Sequence, residues 1–382
     1  MHQTGQGLPG EDYARLPEDL LTELLTAAPA VTRQVEDLLG PALQMRDELR
    51  EAAHTLGMIE RWPGGRVKPV AAVDGGFAVE RTVAIDLALS VAVGVEGFPP
   101  DGHSWVWNDN QYSLAHHVLA HGLDNERLAR AGMAIQELDV LADTPHEVRI
   151  YDGSHLTPVI QLNAALASRS EPVRSLTAQL ASQHGLVGAF GAFVEDTKIV
   201  AMPKYNSSRT LCDQLETEIA KDVPCDDKYV TSLILEAGEY TTPQPVPPDP
   251  WRQLHVVANP DATKPVRDLA EALHTSLRNT LREHKLYTLY FRPSSAAPAY
   301  RIEVKPDLAL DTDAVHDLLA SIAFQLASPF LQEPYPQYLA DVMAKSVGFG
   351  IDALQAATHL FLARQTPELA QAVIHSYRTE GK

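Results

Sequence analysis

Val70-Ala71-Ala72-Val73-Asp74-Gly75-Gly76 and Val148-Arg149-Ile150-Tyr151-Asp152-Gly153 share one pattern, an apolar run ending on an aspartate that glycine follows. A buried strand leaving a sheet reads this way. Either stretch alone is an ordinary turn signal, because aspartate and glycine both favour turns for local reasons. The surroundings add weight to the pair. Between them lie Phe77–Phe98, read as two further strands with a turn near Glu80-Arg81, and an amphipathic helix expected over Ser113–Leu141. The resulting order, three strands, a helix and a strand, is an RNase H-like beginning. It puts Asp74 and Asp152 on neighbouring strands, each expected at a strand's C-terminal edge.

Outward from this segment, residues 1–66 read as an N-terminal helical region. Apolar residues recur at helical spacing from Leu20 to Leu49, broken by Pro29 and Gly40-Pro41. Beyond Asp152 the pattern predicts helices around 158–183, strands around 186–202, helical segments around 208–221 and 227–237, and a proline-rich bend at 241–251. A strand at Leu254–Ala258, a helix over 264–283, strands at 286–292 and 300–306 and C-terminal helices complete the reading. The fold class is α/β, a mixed sheet flanked by helices. Residues 67–350 form the central domain and 351–382 a C-terminal helix.

The chain has 382 residues, 45% hydrophobic and 21% charged, the composition of a folded globular protein. Two cysteines, Cys212 and Cys225, are too few for a disulfide framework and lack zinc-site spacing. The first residues carry no basic-then-apolar leader, and Thr82–Val95 is shorter than the roughly 20 apolar residues of a membrane span. A soluble, cytoplasmic protein without a membrane is expected. The net charge of −19 opposes nucleic acid binding unless basic residues cluster or a partner supplies them. No GxxxxGK[ST] or GxGxxG motif follows a strand, so no nucleotide hydrolysis is expected of this chain itself.

Carboxylates converging from different elements at a sheet edge are what hard cations such as Mg²⁺ and Mn²⁺ require. Gly75, Gly76 and Gly153 would leave room there for a metal or a phosphate backbone. Lys204, in Met202-Pro203-Lys204, suits contact with a scissile phosphate, and Arg209 a neighbouring one. Arg292, Arg301 and Lys305 on two consecutive strands suit a DNA groove, with Tyr290 and Tyr300 available for stacking, although Glu303 alternates with them and can pair with an arginine. His117 and His121, four apart on the expected helix, have a chelating spacing but no accompanying glutamate, and read better as surface or core histidines.

The two Asp-Gly segments, the intervening helix, Lys204, Asp226–Pro243, Tyr290–Ser295, Tyr300–Pro306 and Pro334–Lys345, in that order, resemble the NurA nuclease family over about residues 69–350. The resemblance implies an RNase H-like core and a Mn²⁺- or Mg²⁺-dependent deoxyribonuclease with two ions. It also implies 5′-to-3′ exonuclease and single-strand endonuclease activity, a homodimer, and a HerA-type hexameric ATPase as partner in DNA end processing or anti-phage defence. An acidic residue on the helix before the second aspartate is implied as a ligand, with Glu137, Glu126 and Asp139 as candidates and Glu137 preferred. Asp341 occupies the place of a further C-terminal ligand, where histidine is also found. The alternatives are a catalytically weak or inactive adaptor on the ATPase, and an RNase H- or PIWI-like nuclease acting on RNA or hybrids.

Overall fold

In the computed structural model, the structure describes residues 18–107, 111–204, 208–246, 255–281, 286–328 and 331–373. Ten strands among these residues form one mixed sheet. They are β1 (Ile59–Arg61), β2 (Val70–Arg81), β3 (Asp86–Glu96), β4 (Gln111–Leu119), β5 (Val148–Tyr151), β6 (Ile199–Ala201), β7 (Glu239–Thr241), β8 (Gln244–Pro245), β9 (Tyr287–Arg292) and β10 (Tyr300–Val304). Their order is β1-β7-β9-β10-β6-β5-β2-β3-β4, with β8 also on β9. The run β4-β3-β2-β5-β6, a meander followed by two parallel strands, is the RNase H-like core.

Fourteen helices are described: α1 (Glu18–Gln44), α2 (Arg46–Thr55), α3 (Asn125–Asp143), α4 (Thr157–Leu166), α5 (Glu171–Gln183), α6 (Leu186–Glu195), α7 (Thr210–Ile219), α8 (Asp227–Ile234), α9 (Lys264–Leu281), α10 (Pro306–Ala309), α11 (Thr312–Phe324), α12 (Tyr335–Lys345), α13 (Val347–Gln365) and α14 (Pro367–Val373). On one face of the sheet α3 packs on β2 and β3, and α4, α5, α6 and α9 pack behind it. Leu128, Ile135, Leu138 and Leu141 of α3 are fully buried there. Each contributes roughly 1.5–3 kcal/mol by leaving water. On the other face α11 covers Ala72, Ile150 and Val304, and α12 and α13 cover β2 and β3 farther along. A third cluster gathers α2, α7 and α8 around Tyr290.

Several elements differ from the sequence pattern. The three consecutive strands exist with shifted bounds: β2 and β3 absorb the first three expected, and the third is β4, where a helix was expected from Ser113. In β4 the alternation is real but inverted, for Tyr112, Leu114 and Val118 face solvent on a sheet edge. The strand mimics helical spacing because Leu114 and Val118 on its outer face and Ala115 and Leu119 on its inner face are all apolar. The helix begins at Asn125. Leu186–Glu195, expected as strand, is helix α6, and residues 255–259 form no strand. The proline-rich bend lies partly outside the described residues, as does the end of the expected C-terminal helix.

Asp74 does not end a strand. β2 runs on to Arg81, and Gly75 and Gly76 pair with Ala92 and Val91 of β3. What ends at Asp74 is the pairing on the other side: β5 matches β2 only from Val70↔Val148 to Val73↔Tyr151. α1 is equally distinctive, since Ala42 is its one buried residue and Leu20, Leu21, Leu24, Leu25, Val31, Val35 and Leu38 are exposed.

Candidate metal centre

Side chains along a strand alternate between faces, so parity decides which residues of β2 can meet. Val73, Phe77 and Val79 point to the α3 side. Val70 and Ala72 point to the opposite side, and Ala78 meets α13 there, which places Asp74 on the face that α12 covers. Asp152 follows Tyr151 on the adjacent parallel strand and projects to the same face, where Gln337 of α12 donates to its Oδ1 at 3.0 Å. Gln337 also donates to the Met202 carbonyl at 3.1 Å. One helical turn on, Asp341 shares that face of α12. Asp74, Asp152 and Asp341 each offer a carboxylate oxygen, all within 4.8 Å of one another.

Lys204, just beyond β6, supplies the nearby cation. Its Nζ lies 2.8 Å from Asp152 Oδ2, 2.8 Å from Asp341 Oδ1 and 3.2 Å from Glu333 Oε2. Lys345, exposed, reaches Asp341 at 2.7 Å. The carboxylates outnumber these cations, and the strain of gathering them appears as perturbed acidity. Burial, then the neighbouring charge of Asp152, pushes the Asp74 carboxyl up to about 8, against the backbone N–H of Gly75 and Lys204. Burial also raises Asp152, with Lys204 opposing. At Asp341 burial is outweighed by the hydrogen bonds from Lys204 and Lys345, and its acidity is strengthened. For Lys204, burial is outweighed by Asp152, Asp341 and Glu333, which hold it firmly protonated.

Glu137 comes from the other side of the sheet. It is 2% exposed, accepts from the Tyr151 hydroxyl at 3.2 Å and lies outside the group of three carboxylates. Burial, then the charge of Asp74, raises its pKa well above the ordinary carboxyl range. Gly75 is what brings it so close: a Cβ there would lie 2.4 Å from Met133 Cγ and 2.6 Å from Glu137 Oε1. At Gly76 a Cβ would lie 2.2 Å from the Ala344 carbonyl oxygen of α12. At Gly153 it would lie 2.8 Å from the Tyr151 ring. The glycines thus admit helices and a ring, where a phosphate or metal was expected. Glu126, the other helix candidate, pairs with Arg130 on an exposed face, and Asp139 holds His184.

Arg209, expected on a phosphate, and the arginines expected in a DNA groove are engaged within the protein. Arg209 donates to Val223, Cys225 and Glu216. Arg292 donates to the carbonyls of Ser232, Leu235, Ser295 and Ala297. Arg301 pairs with Glu303 at 2.8 Å. Tyr290 and Tyr300 are buried, not free to stack on bases. His117 lies on β4, and His121 in the following turn holds the buried Asp86 at 2.6 Å, so the pair forms no chelate. Gln337 and Glu333, both missed in the sequence, sit beside Asp152 and Lys204. An uncharged Gln and a loop Glu give no pattern to find.

A hard divalent cation fits this donor set. Three carboxylates from two strands and a helix offer only oxygen, and one half-buried lysine leaves them short of positive charge. Among the described residues, no helix is long and apolar enough to cross a membrane.

No protein-family model and no curated protein matches the chain. Solved structures do. The NurA nuclease from Sulfolobus solfataricus aligns over 92% of this chain and 98% of its own, at 12% identity and a TM-score of 0.57. A structure of NurA with manganese aligns over 87% and 98%, at 12% identity and a TM-score of 0.53. The likeness covers most of both chains, and the chain has a NurA-like fold.

Proposed function

We propose that this chain is a divalent-metal-dependent nuclease that hydrolyses phosphodiester bonds of DNA. The observation that carries the reading is the meeting of Asp74, Asp152 and Asp341 around one lysine at the point where the parallel pairing of β2 and β5 stops. These three carboxylates would hold Mn²⁺ or Mg²⁺, and two ions in the full site. The bound metal supplies Lewis acidity to a phosphate and acidity to a water. Lys204, anchored between Asp152 and Asp341, is placed to orient a non-bridging phosphate oxygen as a point charge. Gln337 keeps one oxygen of Asp152 turned to its own amide, which fixes the carboxylate's rotation. Glu137, which accepts from the Tyr151 hydroxyl and whose carboxyl burial pushes well up, supports β2 from behind.

The finer reading takes 5′-to-3′ degradation of DNA ends, single-strand endonuclease activity and a cytoplasmic homodimer from the resemblance. It adds a HerA-type ATPase partner in end processing or anti-phage defence. Two features support a partnered enzyme. A net charge of −19 disfavours unaided DNA capture, and among the described residues the apolar stripe of α1 is exposed.

The test is cleavage of labelled single-stranded DNA, duplex DNA, RNA and hybrids with Mn²⁺, Mg²⁺ or EDTA, against Asp74→Ala. Metal-dependent DNA cleavage by the wild type alone is expected. Wild type as inert as Asp74→Ala, with a hexameric ATPase present, sinks the enzyme in favour of an adaptor. Preferential cleavage of RNA or hybrids replaces the DNA reading.

A further inference from the structure

The turn behind Asp152 is held by a carboxylate that the proposed chemistry leaves unused. Residues 152–156 leave β5 and lead into α4, and Glu303 on β10 grips this turn from across β6. It accepts from Ser154 Oγ at 3.0 Å, from the backbone N–H of His155 at 2.9 Å, from His155 Nδ1 at 3.3 Å and from Arg301 at 2.8 Å. The far nitrogen of the same ring, Nε2, lies 2.5 Å from Lys305 Nζ. Lys305 also donates to the Ile199 carbonyl at 3.0 Å, at the start of β6.

Glu303, His155 and Lys305 are all buried. A neutral imidazole satisfies both of its contacts, with Nδ1–H donating to Glu303 and Nε2 accepting from the lysine. Burial and Lys305 push His155 down to about 4, in keeping with that form. For stability alone such a network is a poor choice, since buried ions forfeit hydration and apolar side chains of the same volume hold as well. What it adds is direction, because a carboxylate serving four donors fixes where each one sits.

We infer that Glu303 is a positioning residue for the metal centre, fixing Ser154 and His155 so that the backbone presents Asp152 to Asp74 and Asp341. Through His155 and Lys305 it also ties this turn to β6, the strand whose continuation carries Lys204. The inference rests on the reading of the three aspartates as a cation site.

Mn²⁺ binding, read from the electron paramagnetic resonance signal of the free ion, tests it together with thermal melting. Glu303→Gln keeps the size but removes the charge and one acceptor oxygen. It is expected to fold and to bind Mn²⁺ about 10–100-fold more weakly than wild type. Its DNA cleavage should recover as Mn²⁺ is raised, whereas that of Asp74→Ala should not. Ser154→Ala deletes one donor of the four and should fall between wild type and Glu303→Gln. Wild-type Mn²⁺ affinity in both variants overturns the inference and leaves the metal reading standing. Should Glu303→Gln fail to fold, Ser154→Ala decides alone, with unchanged affinity again overturning it. A wild-type chain that binds no Mn²⁺ overturns the metal reading, and this inference with it.

Discussion

The backbone N–H of Asp152 donates to the carbonyl oxygen of Val73 at 3.1 Å. That bond is the last rung between β5 and β2, and it sets Asp74 and Asp152, the next residue on one strand and the donor on the other, side by side on one face. Two carboxylates in that position repel unless a cation joins them. The properties of the site follow from this adjacency.

Asp74→Asn keeps the shape of the side chain and removes its charge. Metal-dependent cleavage should fall by about 10³-fold or more, because a carboxylate ligand is lost. The metal-free variant should melt above wild type at pH 8.5, since a buried like charge is gone. Differential scanning fluorimetry and a cleavage time course check both, and cleavage within tenfold of wild type would remove Asp74 from the site.

Proton uptake gives a second expectation. Folded Asp74 keeps its proton up to about pH 8, whereas in the unfolded chain it loses it near the ordinary value of about 4. Between these limits the folded metal-free protein binds the extra proton, so its stability should fall as pH rises from about 4 to about 8 and then level off. Cation affinity should rise across the same window, because the metal displaces that proton. Urea melts at pH 5 and pH 8, and calorimetry in buffers of different ionisation enthalpy, measure the two trends. Metal binding without proton release at pH 6 contradicts the assignment.

Lys204→Met separates charge compensation from catalysis. The lysine bridges Asp152 and Asp341, so its loss should leave Mn²⁺ binding intact or tighter while kcat drops by about 10²-fold. A variant that loses Mn²⁺ binding and activity together shows the lysine to be a scaffold element.

Two glycine substitutions make a matched pair. Gly76→Ala drives a methyl against the Ala344 carbonyl, and should cost about 1–3 kcal/mol in urea unfolding and weaken Mn²⁺ binding by moving α12 and Asp341. Gly188→Ala, in α6 with nothing near its added methyl, should be neutral or gain up to about 1 kcal/mol. Equal effects would show that Gly76 carries no packing role.

The sequence made Asp74, Asp152 and their neighbouring strands legible, because two apolar runs of the same kind flank a helix. It could not show that Gly75-Gly76 continue the strand, since Asp-Gly-Gly signals an exit wherever packing does not override it. β4 was hidden by its place at the sheet edge, where the apolar alternation faces outward. The alternation Arg301, Glu303, Lys305 reads as an exposed charged face. Only their three-dimensional partners, Ser154, His155 and Ile199, reveal a buried network.

Gly75 and Gly76 leave β2 bare on both faces where the carboxylates gather. Elsewhere side chains hold the two helical layers apart; here Met133 and Glu137 of α3 and Ala344 of α12 rest on opposite sides of a single peptide backbone. A single peptide backbone is all that separates the two helices at this point. A shift of either helix therefore bears directly on the strand that carries Asp74.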